Sequence, residues 1–415
     1  MLRWGGTTFL PLAAWAGYGS RMESIPERFF MMLADDLNSF PTVPRLSGSD
    51  LTRLEQLLAN LRERTGTFLG YPVAKDFDCS ALAPFLDLPL NNLGDPFAPS
   101  TYQVDSREFE REVVAFAARL LRAEEDSWWG YVGNGGSEGN LYGLYLAREL
   151  FPQGMVYFSQ GTHYSVSKNL HLLGMRHIMI RSQASGEIDY EDLRETLRVH
   201  RDVVPIMFAN IGTTMTEGKD DIGRIRRIFQ ELAISRFYIH SDAALCGFIA
   251  PFLKPRPAFD FADGADSISI SGHKFIGSPI PCGIVLARKR HVERIARSIA
   301  YIGNLDTTIS GSRNGLTPLI MWLAIRQLGE EGFRARVARS LEVADYACTR
   351  LQQAGVAAWR NPNAITVVFP TPAETVCRRW QLASADGASH LVVLPNVSKG
   401  QIDCFVADLA AGGCR

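Results

Sequence analysis

The sequence has little that would commit it to a special environment. Its 43 basic and 44 acidic residues nearly cancel, leaving a net charge of -1. A chain so balanced offers no electrostatic footprint for nucleic acid or for an anionic membrane surface. The seven cysteines (79, 246, 282, 348, 377, 404 and 414) are odd in number and scattered. None forms a C-x-x-C pair or takes metal-ligand spacing, so no metal is expected and a reducing, cytoplasmic setting suits the chain. Long apolar runs are also missing, and the Phe9–Ala16 run within Met1–Ser20 is modest. That segment could pass for a weak signal peptide. Glycines and threonines interrupt it, however, no small-residue cleavage site follows, and it is too short to span a bilayer. Met22, Met31 and Met32 are alternative starts, and Pro41 and Pro44 mark a linker. Residues 1–48 are therefore read as an extension of uncertain standing. Internal repeats and low-complexity runs are lacking.

What is present is material for a large core: 415 residues, 46% of them hydrophobic. That length favours one larger and one smaller domain. Leu51, Leu54, Leu57, Leu58 and Leu61 recur at helical spacing, predicting a helix whose apolar stripe packs on another element. Asp105 and Glu108 form a capping-box pattern ahead of the stripe Phe109, Val113, Phe116 and Leu120. Between them, the long loop around LNNLGDPF (Leu90–Phe97) reads as a functional loop or an arm embracing another subunit.

From Trp128 onward, short β-rich runs alternate with helical stripes. Strands are expected at Met155–Phe158, Ile178–Ile180, Val204–Ala209, Phe237–His240, Ser267–Ser271 and Ile284–Ala287. This alternation implies an α/β fold with a mainly parallel central sheet covered on both faces. Helices at Pro318–Leu328 and Ala335–Gln353, strands at Ile365–Phe369 and His390–Leu394, and a last helix make a smaller C-terminal α+β domain. The divisions are 49–104 for the helix and arm, 105–312 for the large domain and 313–415 for the small one. Ligands of such sheets bind at the carboxyl ends of the strands, where this chain keeps its unusual residues.

In DSISISGHKFIGSPIPCG (Asp266–Gly283) a strand is interrupted by Gly272, His273 and Lys274. A lysine on a rigid turn among apolar residues loses its proton readily, because desolvation disfavours the ammonium, and the neutral amine attacks carbonyls. The other reading is a strand-end lysine reaching water. In GNGGSEG (Gly133–Gly139), glycines and a helix N-terminus suit a phosphate monoester, whereas neither a Walker lysine nor the dinucleotide spacing is present. Its alternative is a helix capped by Ser137. YIHSDAA (Tyr238–Ala244) puts Asp242 at the end of a buried strand, where a cationic partner such as a protonated pyridine would answer it. A structural ion pair would serve equally. His163 of THYS could stack on such a ring, although a lone histidine is more often structural. NIGTT (Asn210–Thr214) adds polar groups at the same edge.

Taken in this order, the segments resemble the pyridoxal-phosphate-dependent group II amino-acid decarboxylases, in the branch of histidine decarboxylases and plant-type serine decarboxylases. The resemblance runs from about Phe68 to the C-terminus. It includes GYP (Gly70–Pro72), LNNLGDP (Leu90–Pro96), GSRNG (Gly311–Gly315) and RRWQLA (Arg378–Ala383). It implies a fold type I enzyme acting as a homodimer with shared active sites and using pyridoxal 5'-phosphate on an amino-acid substrate. By motif, Lys274 carries the cofactor, Asp242 holds the pyridine nitrogen, and His163 stacks on the ring. Gly136, Ser137 and His273 bind the phosphate, Thr213 lies beneath the cofactor, and Ser312 of GSRNG joins the site. Tyr301 is a candidate proton donor to Cα, its rival reading being a surface tyrosine. Ser241, where many relatives carry alanine, is expected to border the ring. The reaction implied is loss of CO₂ from L-histidine to give histamine. The alternatives are decarboxylation of serine or valine, or an aminotransferase that holds its substrate carboxylate with an arginine such as Arg360.

Overall fold

The computed structural model describes residues 46–299 and 304–412. The chain divides into two compact units, Met1–Arg64 and Thr65–Arg415. The described part of the first is the helix α1 (Gly48–Thr65), whose last residue begins the second unit. None of its residues is buried, and Leu51, Leu54, Leu57, Leu58 and Leu61 are each about half exposed. The expected apolar stripe is there, but it is not buried.

The second unit is organised on a seven-stranded sheet. Its strands are β1 (Trp128–Gly133), β2 (Met155–Ser159), β3 (His177–Ile180), β4 (Pro205–Asn210), β5 (Tyr238–Asp242), β6 (Ser267–Ser271) and β7 (Gly283–Arg288). They run in the order β1-β7-β6-β5-β4-β2-β3. Helices connect the parallel strands: α3 (Gly136–Leu150), α4 (Ser165–Leu173), α5 (Tyr190–Val199) and α6 (Ile222–Glu231), with α2 (Arg107–Leu120) preceding β1. Pairings from β3 through β6 are parallel. The β6–β7 link holds only a single turn of helix, too short for a crossover, so β7 returns antiparallel and β1 pairs antiparallel with it. Strands β2, β4, β5 and β6 are buried along their whole length, as expected of strands covered on both faces.

Helix α7 (Leu316–Gln353) breaks at Gly329, whose φ of 58° only glycine adopts readily, so the two predicted helices are two arms of one bent element. Its second arm packs with the three-stranded sheet β10-β12-β11 (Thr366–Pro370, Ala388–Val392, Ala383–Ala385) and the last helix, Lys399–Gly412, around a second core. A short antiparallel pair of strands, β8 (Arg297–Ile299) and β9 (Asn304–Asp306), lies between β7 and α7 in the chain.

The Leu90–Phe97 loop is pinned within its own chain. Arg313 and Glu110 are both buried and form an ion pair. Arg313 also donates to the carbonyls of Gly94 (3.0 Å) and Val132 (3.1 Å). Glu110 accepts from the Val132 amide and from Asn92 Nδ2, each at 2.8 Å. The capping box expected of Asp105 and Glu108 does not form. Asp105 instead pairs with Arg107 at 2.8 Å, and the cap position falls to Ser106, whose hydroxyl donates to the Gly315 carbonyl. Long-range anchoring of the loop displaces the local motif. Because removing one partner strands the other charge in the interior, Arg313→Ala is expected to cost about 3–5 kcal/mol of stability, measured by urea denaturation. A loss within ~0.5 kcal/mol would mean that the pair does not hold the loop.

Candidate active site

The parallel strands deliver their carboxyl ends to one edge, where the register sets Asn210 beside Asp242 and Asp242 beside Ser269. Beyond β6 the chain makes one wide turn, Gly272–Ile276, with Lys274 at φ -86° and ψ -106°. Close packing dictates the glycines here. A Cβ on Gly272 would come within 2.6 Å of Cys282 Sγ and Met321 Sδ, and Gly277 sits at φ 95° against Ala74. Burial lowers the Lys274 pKa, and the nearby Asp242 and Cys246 oppose that shift in part. A rigidly held lysine displaced toward its neutral form is a nucleophile in waiting.

Asp242 is buried at the end of β5. Its Oδ1 accepts from the Ala244 amide at 3.1 Å, and its Oδ2 accepts from Asn140 Nδ2 at 2.8 Å. His163 follows β2. Its Nδ1 accepts from the Ser165 amide (3.3 Å) and lies 2.8 Å from the Ser165 hydroxyl. Its pKa is lowered by burial first and by Lys274 second, while Asp242 raises it, so the three side chains share one electrostatic neighbourhood.

The glycine turn before α3 meets the lysine turn. A Cβ on Gly135 would sit 3.3 Å from the His273 ring, and one on Gly136 would sit 2.9 Å from Ser271 Oγ. His273 is held with Nδ1 3.0 Å from the Cys282 carbonyl, and burial lowers its pKa. Gly136, exposed Ser137 and His273 thus frame the N-terminus of a 15-residue helix, an arrangement that suits an anion.

Other expectations fare differently. The Thr213 hydroxyl accepts from the Gly218 amide at 2.9 Å and lies 3.0 Å from Thr216 Oγ1, so it is already engaged. Ser312 joins another group, accepting from Asn91 Nδ2 at 3.2 Å. Ser241 does not border the space around Asp242. Strand alternation turns it to the opposite face, where its hydroxyl donates to the Phe259 carbonyl at 2.8 Å. Arg360 is occupied by Asp345 and the Ala364 carbonyl, which removes it as a free carboxylate clamp. Tyr301 lies outside the described residues. Of the polar side chains of the Leu90–Phe97 loop, Asn91 bonds Ser312 and the Arg313 amide, while Asn92 and Asp95 serve Glu110, Ser106, Trp129 and Thr307, so the loop's polarity goes into its own anchoring.

Residues 144–369 match the pyridoxal-dependent decarboxylase conserved domain. The histidine decarboxylase of Mesorhizobium japonicum is 53% identical over 365 residues, covering 88% of this chain and 99% of that protein. The chain belongs to the pyridoxal-dependent decarboxylases. The histidine decarboxylase of Morganella morganii is 46% identical, covering 88% of this chain and 98% of its own length. Among solved structures, the L-methionine decarboxylase from Streptomyces sp.590 superposes with a TM-score of 0.81 at 26% identity, covering 89% of this chain and 98% of that one. The cofactor of this decarboxylase is accordingly pyridoxal 5'-phosphate. The donor set fits it: an amine displaced toward neutrality, a buried carboxylate, an imidazole between them in charge, and a bare helix N-terminus.

Asn140 and His240, both buried, are not among the residues that the motifs single out. His240 is fully buried, and burial pushes its pKa down to about 3 from 6.5. Between those values the unfolded chain holds a proton that the folded chain refuses, so this stabilisation is complete above pH 6.5 and lost as pH falls toward 3. The difference in stability between the wild type and His240→Gln is expected to shrink by about 2–3 kcal/mol from pH 6.5 to pH 4.5. A difference independent of pH in urea titrations would show that His240 is not held neutral.

Proposed function

We propose that this decarboxylase converts L-histidine to histamine and CO₂. The observation that carries the reading is identity of 45–53% to histidine decarboxylases over 88% of the chain. The convergence of Lys274, Asp242 and His163 at one sheet edge supports it. In this reading Lys274 binds the cofactor covalently, Asp242 keeps its pyridine nitrogen protonated, and His163 lies against its ring. Gly136, Ser137 and His273 receive the phosphate. The bound cofactor supplies the electron sink, and the protein selects which bond to Cα breaks. Thr213 borders the cofactor, and its engaged hydroxyl makes its contribution one of shape. Tyr301 supplies the proton to Cα. The working unit is a cytoplasmic homodimer, with residues 105–312 and 313–415 as its two domains and Ser312 reaching the neighbouring site. The resemblance of the LNNLGDP and GSRNG segments to their counterparts in relatives supports that assembly.

A pocket that hydrogen-bonds imidazole rejects an apolar side chain of similar size, because its polar groups would be left unpaired. Histidine is therefore expected to exceed leucine by at least ~10³-fold in kcat/KM. Measuring histamine, ethanolamine and isobutylamine release side by side tests the substrate. Faster turnover of serine or valine would overturn histidine while leaving decarboxylation intact.

A further inference from the structure

Gly136, Gly139, Asn140 and Gly143 fall at i, i+3, i+4 and i+7 and so share one face of α3. That face lies directly on β5 and β6. A Cβ on Gly139 would come within 2.7 Å of Ser269 Cβ, and one on Gly143 within 2.1 Å of His240 Nδ1. The one side chain along this bared face is Asn140, which is buried. Its Nδ2 donates to Asp242 Oδ2 at 2.8 Å, while its Oδ1 accepts from the Ser269 hydroxyl and lies 2.9 Å from His240 Nε2. Behind it, His240 Nδ1 lies 2.7 Å from Ser267 Oγ, which accepts from the Tyr238 hydroxyl at 2.8 Å.

The proton positions along this chain follow from chemistry. A carboxylate accepts only, so Asn140 must turn its amide nitrogen to Asp242 and its oxygen to His240. Nε2 of His240 therefore carries the proton. Burial keeps the ring neutral, which leaves Nδ1 as an acceptor, and the Ser267 hydroxyl donates to it. Ser267 in turn accepts from Tyr238. Every hydrogen bond then points the same way, from Tyr238 through Ser267, His240 and Asn140 to Asp242. Bonds aligned in series polarise one another, so the last N–H is strengthened. The opposite polarity would set the Asn140 oxygen against the Asp242 carboxylate.

We propose that Asn140 and His240, backed by Ser267 and Tyr238, are positioning residues that fix the Asp242 carboxylate so that it faces the cofactor's ring nitrogen. The inference rests on the pairing of Asp242 with that nitrogen proposed above. The titratable groups that interact with Asp242 from neighbouring elements are Lys274, from the turn after β6, and His163, from the segment after β2. A histidine packed 5.1 Å from the Phe208 ring could serve as filler. Filler has no need of bonds at both nitrogens, and an apolar side chain would avoid the cost of burying them.

The test reconstitutes apoprotein with pyridoxal 5'-phosphate alone and measures its dissociation constant, then kcat and KM for histidine. Asn140→Asp keeps shape and Oδ1 but replaces the donor with an oxygen. It is expected to weaken cofactor binding about tenfold or more and to lower kcat by ~10–100-fold with little change in KM. His240→Gln can still present an N–H to Asn140 and is expected to keep most of the affinity. His240→Phe keeps ring bulk without polar atoms and is expected to lose it. A filler role demands the reverse order, with Phe tolerated better than Gln. Wild-type cofactor affinity in a folded Asn140→Asp protein would overturn the inference, whether or not His240→Phe folds. Asp242→Asn in the same titration separates the two claims. If it binds cofactor as tightly as the wild type, the Asp242 assignment fails. If it binds weakly while Asn140→Asp binds normally, only the relay fails. Neither result depends on which amino acid is the substrate.

Discussion

A carboxylate buried at the end of a central strand is the constraint on which the site depends. Asp242 sits at the carboxyl end of β5, between Asn210 on β4 and Ser269 on β6. An ionised acid in that position is tolerable only if it is hydrogen-bonded and faces positive charge. Much of the surrounding architecture meets those conditions. The Ala244 amide and Asn140 bond its two oxygens, and Lys274 approaches from the neighbouring turn. Helix α3 carries glycines where it crosses β5 and β6, and that closeness lets a short asparagine reach the acid.

A second buried charge, the Glu110–Arg313 pair, plays a mainly architectural part. It joins α2, the edge of β1, the Leu90–Phe97 loop and the start of α7 through one set of bonds. This explains why a loop so polar in sequence offers few free polar groups. Asn92 and Asp95 are consumed in holding it.

Much of this was legible from residues alone, for identifiable reasons. The strands from Met155 to Ala287 show as short β-rich runs because both faces of the sheet are covered, so burial writes itself into consecutive positions. Strand β1, WWGYVG, escaped that reading because two tryptophans and two glycines give neither alternation nor a β-branched run. The break at Gly329 made one bent helix read as two separate helices. Lys274 and Asp242 stood out because their chemistry is unusual for strand ends. Asn140 and His240 did not, because their meaning lies in contacts between residues 100 apart in the chain. The spacing of Gly136, Gly139 and Gly143 held a clue to close packing that a phosphate-binding reading of the same glycines obscured. Ser241 was misplaced because its neighbour's role was extended to it across the strand's alternation.

The central claim is that Asp242 keeps the cofactor's pyridine nitrogen protonated. Nitrogen-15 NMR of the decarboxylase loaded with ring-labelled pyridoxal 5'-phosphate reads that proton directly. A pyridinium shift is expected in the wild type at neutral pH, and an unprotonated ring in Asp242→Asn. An unprotonated ring in the wild type, or a pyridinium that survives the substitution, would contradict it.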